Sequence, residues 1–228
     1  MDAAKSDLLR ALGRLVRGLS ALFWGIPLTL IMAVETARTD WLGFLGPAAF
    51  APVFVLSGIL WHGLSQLRDF QKQERIWQQA LHRAEFFAII NTGLAPFLFW
   101  WHRFPFVPFY TVCVAVLAVT GVLFLAQLNQ VLRRLSAMLP DEMLRAETRT
   151  FTAWNIGLFW TLLASLGLYA LLRRFPIWPG VGGRFFVAFQ ERAEELVLFL
   201  ILMPVAVTLS LLWKIKEAIF ASLFQTER

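Results

Sequence analysis

The chain has 228 residues, of which 58% are apolar, and its mean hydropathy is +0.64. That balance is too apolar for an ordinary soluble domain. The formal net charge of +6 is compatible with a nucleic-acid partner, but the basic residues follow a membrane topology, so no nucleic-acid partner is expected.

A transmembrane helix needs about 20 mostly apolar residues. Six runs of that kind stand at about 20–36, 43–64, 86–102, 106–128, 151–172 and 194–213. In lipid the backbone must satisfy its own polar groups, so such runs become helices. The expected fold class is an all-α polytopic membrane protein of six transmembrane helices, arranged as three helical hairpins with amphipathic cytoplasmic connecting helices. It forms a single integral membrane domain over 1–228: an amphipathic arm at 1–19, a membrane region at 20–213 and a tail at 214–228.

In the arm, Leu8, Leu9, Leu12, Leu15 and Val16 alternate with Arg10, Arg14 and Arg17 in an amphipathic pattern. Run one reads as an uncleaved first helix, since its arm is long for a signal peptide and no small-x-small cleavage site follows. Glu35 and Arg38 lie three residues apart at its outer end and can pair along one face. Between runs two and three, Leu67, Phe70, Trp77, Leu81 and Ala84 return at helical spacing. That segment is either a helix on the inner leaflet or an extension of the third helix. The 129–150 segment is similar and is interrupted at Pro140. Pro27, Pro52, Pro96 and Pro204 fall within runs and should kink or open their helices. In the outer segment 173–193, Pro176, Pro179, Gly180, Gly182 and Gly183 are turn signals. Glu194 and Glu195 then open the last run.

A weak repeat links the hairpins. Asn91-Thr92-Gly93-Leu94 matches Asn155-Ile156-Gly157-Leu158, with Gly25-Ile26 at similar depth in run one. Gly58, Gly121 and Ser210 hold related positions in the even runs. Such small residues let helices approach closely in lipid.

Fifteen of the 21 Lys and Arg lie in the arm, in 65–85, in 129–150 and in the tail. Six lie in the alternate loops: Arg38, Arg103, Arg173, Arg174, Arg184 and Arg192. The positive-inside rule therefore puts both termini in the cytoplasm, and the expected location is the plasma (inner) membrane. The inner cations should attract anionic lipid headgroups, so membrane lipids are expected partners.

Candidate ligand-binding residues form two groups. Asn91 and Asn155 hold matched positions in the inner half of the bilayer, with Thr92 and Gln127 near in depth. They serve either as interhelical hydrogen bonds or as a polar patch in a cleft. The second group is Arg103, Arg173, Arg174 and Arg184, outer cations beside Trp100, Trp101 and Trp178 that suit an anionic group. His62, His82 and His102 lie on opposite faces of the membrane and cannot share one metal. Cys113 stands alone, so neither a disulfide nor a zinc cluster is expected. No nucleophile elbow, phosphate loop or His-Glu-x-x-His motif occurs. No catalytic residue, metal site or cofactor is expected. The leading functional expectation is a non-enzymatic scaffold or accessory subunit with a protein partner or oligomer. The alternative is a small-molecule transporter or substrate-binding membrane subunit.

Overall fold

The computed structural model describes the backbone of residues 2–40, 43–71, 73–139, 141–174 and 181–225, and side chains within 10–40, 43–46, 48–71, 73–139, 141–168 and 198–221. Seven α-helices carry the described chain: α1 (Asp2–Arg38), α2 (Ala51–Leu67), α3 (Arg75–Leu94), α4 (Phe97–Arg103), α5 (Pro108–Met138), α6 (Glu142–Arg174) and α7 (Val181–Gln225). A 3-10 helix, Gly43–Phe50, leads into α2. No strand occurs among the described residues. Among the described residues, six segments are long and apolar enough to cross a membrane: Arg10–Arg38, Ala48–Leu67, Arg75–Arg103, Pro108–Met138, Glu142–Leu168 and Leu198–Ala221.

The local sequence explains the helix ends. Pro108 opens α5 in its first turn, where a missing N–H costs nothing. Asp141 caps α6, its Oδ1 accepting the Leu144 backbone N–H at 2.9 Å. In the 3-10 segment Gly46 turns the chain at φ +54°, a conformation that favours glycine.

The prolines act differently from one another. Pro96 separates α3 from α4 within the third span. Pro52 lies in the first turn of α2, so it starts that helix rather than kinking it. Pro27 and Pro204 lie inside α1 and α7, whose helical hydrogen bonding continues on both sides.

The amphipathic segments are the ends of the spanning helices and not separate connectors. The arm is the first part of α1, and 75–84 is the first part of α3. Residues 68–71 form turns between α2 and α3. The expected apolar face of this region is fully used: Leu67, Phe70, Trp77, Leu81 and Ala84 are all buried. Burying an aliphatic or aromatic side chain of this size contributes about 1.5–3 kcal/mol.

Neighbours in sequence pack together: α1 on α2, α2 on α3, α3 on α5, α5 on α6 and α6 on α7. The last helix returns to α1 and α5, and α4 packs on α1 and α5. One end of the bundle gathers Leu15 and Leu19 of α1, Leu64 and Leu67 of α2, Leu132 and Leu135 of α5, Leu144 of α6, and Ile215 and Ile219 of α7. This end also carries most of the cations, and we call it the basic end. Gly18 and Gly63 allow α1 and α2 to touch there: a Cβ on Gly18 would stand 2.6 Å from the Gly63 carbonyl oxygen. Gly25 packs as closely, against Leu60. Gly58, Gly93, Gly121 and Gly157 do not. Their Cβ positions meet nothing within 4 Å, so the close-packing role expected of them is absent.

Candidate functional site

Away from the basic end the single core divides. Val53, Ala95 and Leu98 form one cluster with α1 and α5 residues such as Ala33 and Leu117. Val122, Phe159 and Leu162 form another with Leu166 and Ile201. A cavity of about 350 Å³ is lined by residues of both clusters and of the main core. Every one of the seven helices contributes to its wall. Its volume lies at the lower end of the ~300–1,000 Å³ typical of small-molecule sites.

Small side chains explain why there is space. Ala33, Ser57, Ala88, Ala95, Ala118 and Gly121 face the cavity from α1, α2, α3, α5 and the break before Pro96. Ala118 lines it and is itself exposed, so the cavity is not sealed by protein on the α5 side. Three wall residues are polar: Thr29, Ser57 and Asn91. Ser57 Oγ donates to the Val53 carbonyl at 2.8 Å. Asn91 Oδ1 lies 2.6 Å from Thr120 Oγ1 of α5. Thr29 Oγ1 is buried and has no partner.

Asn155 does not join Asn91. It is fully buried on α6, where its Nδ2 donates to Asn129 Oδ1 at 3.1 Å, Thr208 Oγ1 at 3.0 Å and the Pro204 carbonyl at 3.2 Å. Asn129 Nδ2 also donates to Thr208 Oγ1, and Thr208 donates to Pro204, each at 2.8 Å. This cluster ties α5, α6 and α7 together. Asn155 Oδ1, Thr148 Oγ1 and Thr152 Oγ1 are buried without partners on the same helix. Neither Thr92 nor Gln127 lines the cavity. Thr92 donates to the Ala88 carbonyl, and Gln127 Oε1 is buried without a partner.

Of the outer arginine group, Arg103 is exposed at the end of α4. Arg173, Arg174 and Arg184 lie on helical backbone, but their side chains fall outside the described residues, as do those of Arg192, Glu194 and Glu195. Trp41 and Trp178, with Pro176, Pro179 and Gly180, also fall outside. The Glu35 carboxylate takes the Thr39 hydroxyl at 3.3 Å. His102 contacts the Ala37 carbonyl at 3.1 Å and Asp40 at 3.2 Å, while His62 contacts Gln66. No group of three or more His, Cys, Asp or Glu suited to a metal occurs among the described residues.

Sequence reasoning missed a buried acid. Glu85 is only 2% exposed and receives Arg68 Nε at 2.8 Å, with a second contact from Nη2. Hydrogen bonding first, and charge second, holds the Arg68 guanidinium above its ordinary range. The signal was present: Glu85 follows Trp77 and Leu81 at four-residue spacing, on the face that goes inward. Two further ion pairs, Arg14–Asp69 and Lys214–Glu147, join elements at the same end.

Comparison with known protein families, with curated proteins and with solved structures finds no match.

Proposed function

We propose that this is a multi-pass membrane protein that binds a small apolar molecule between its helices, as a transporter or substrate-binding component. The observation that carries the reading is the cavity of about 350 Å³ with walls from all seven helices. Packing normally fills a bundle core to the density of an organic crystal. Here alanine, serine and glycine face one another across the interior. The wall has few polar groups and no charged residue among those described, which suits a molecule that partitions into lipid.

The charge pattern supports an orientation with the basic end, and so both termini, at the cytoplasmic face of the plasma membrane. The cavity then runs from the middle of the bilayer toward its outer half, and Asn91 in its wall stands near the middle of its span and not in the inner half expected of it. The strong pairing of α1 with α2 and of α3 with α5 supports the first two hairpins as building units, whereas α6 packs on α7 no more extensively than on α5. Anionic headgroups are the expected neighbours of the exposed cations at the basic end.

The test uses a small alkyl diazirine on the protein in its own membrane. Lipid-facing residues label without saturation. Saturable labelling at Ser57, Asn91 or Leu162 would mark a site. Gly121→Leu should abolish it, because the added side chain enters open space at the cavity wall. Labelling that never saturates, or that Gly121→Leu leaves unchanged, would refute the proposal.

A second reading, an accessory subunit, is favoured by one face of α6. Ala153, Gly157, Thr161 and Ala164 are exposed there at helical spacing. Small residues at such spacing suit close contact with another transmembrane helix. Gly157→Leu should then release a partner or dissociate an oligomer in native gels; an unaltered assembly would remove this reading.

A further inference from the structure

We infer that the cavity selects a neutral, oxygen-bearing apolar molecule, and that Asn91 makes the selection as a fixed amide donor. The inference rests on the cavity being a binding site and adds the chemistry of its ligand.

The donor is fixed by Thr120, which is buried on α5. Its hydroxyl has one proton and three acceptors within reach: Asn91 Oδ1 at 2.6 Å, the Val116 carbonyl at 2.8 Å and the Leu117 carbonyl at 3.1 Å. We assign the proton to the shortest contact. Asn91 Oδ1 is then turned to α5, and Nδ2 is held at the opposite edge of the planar amide. Nδ2 has no protein acceptor and is not among the buried atoms, while Asn91 itself lines the cavity. A pair of N–H groups is thus offered in a wall whose other polar side chains are Thr29 and Ser57, the latter spent on the Val53 carbonyl. The Thr29 hydroxyl, also without a partner, is buried behind the wall and leaves Asn91 as the donor open to a ligand.

An unpaired amide in apolar surroundings is costly, and a carbonyl or ether oxygen on the ligand removes that cost. A pure hydrocarbon cannot. A site built around a hydrogen bond discriminates well against an analogue lacking the acceptor. A charged ligand is disfavoured for the opposite reason: no described wall residue offers a counter-charge. The ligand class is therefore a neutral ketone, ester or ether with a hydrocarbon body, delivered from the lipid phase.

Undecan-2-one and undecane are compared as competitors of the diazirine label, each corrected for its own partition into detergent. The ketone should compete at about one-tenth of the mole fraction the alkane needs, the discrimination expected of one hydrogen bond. Asn91→Leu should make the two probes equal by weakening the ketone alone. Thr120→Val leaves the wall shape intact but frees the amide to rotate, and it should narrow the gap even if Asn91→Leu fails to fold. Equal competition by the two probes in the wild type would overturn the donor assignment and leave the cavity reading standing. So would a ketone preference that survives both variants. Competition by neither probe would overturn the cavity reading itself.

Discussion

At the scale of single residues, Glu85 is the one charged side chain that is buried among the described residues. It is almost wholly buried, whereas its partner Arg68 is 56% exposed at the side chain. Removing one partner of such a pair leaves an uncompensated buried charge. Arg68→Ala should therefore lower stability by about 2 kcal/mol, less than a fully buried pair would lose because Arg68 is partly solvated. Adding Glu85→Leu should recover most of that loss in thermal unfolding, since no stranded carboxylate remains. A double variant no more stable than Arg68→Ala would deny the pair this role. The Asn129–Asn155–Thr208 cluster makes a different forecast. Interhelical hydrogen bonds in membrane proteins are modest, so Asn155→Leu should cost about 1–2 kcal/mol. Asn129→Leu added to it should cost less than its own single effect, because the two share Thr208. Full additivity in unfolding measurements would mean that the two amides act independently. The polar pair Asn91 and Asn155 stood out in the sequence because polar groups in apolar runs need partners. Their separation into a cavity wall and a buried cluster was not legible, because neighbours across helices are not written in either run.

At the scale of elements, hydropathy marked all six spans, since length and apolarity alone decide whether a helix can cross a bilayer. The inward faces of the helical extensions were equally legible: the period of Leu67, Phe70, Trp77, Leu81 and Ala84 is the face that is buried. The role of each glycine was not, because it depends on what stands opposite. This gives a paired prediction. Gly18→Ala forces a methyl to within 2.3 Å of Leu67 Cδ1 and 2.6 Å of a backbone oxygen. It should destabilise by about 1–3 kcal/mol, the usual cost of overpacking. Gly93→Ala meets open space and should be neutral or stabilising by up to about 1 kcal/mol, the gain from a better helix former. The reverse order of melting temperatures would show that the contact between α1 and α2 is not as close as described.

At the scale of the whole molecule, the basic end is one continuous core stitched by ion pairs, while the far half splits into smaller clusters, two of which line a cavity. The sequence contained the ingredients of that cavity, namely alanine, serine and glycine on α1, α2, α3 and α5. Small residues in a membrane helix signal tight packing as readily as open volume, so only the assembled bundle distinguishes Gly63, which is packed, from Gly121, which is not. The most direct measurement is native mass spectrometry of the protein released gently from its own membrane, with Gly121→Leu alongside. Our account predicts that the wild type retains one neutral small molecule per chain and that Gly121→Leu, folded and of normal stability, retains none. A wild type and a variant of identical occupancy, or a wild type that never carries such a molecule, would contradict it.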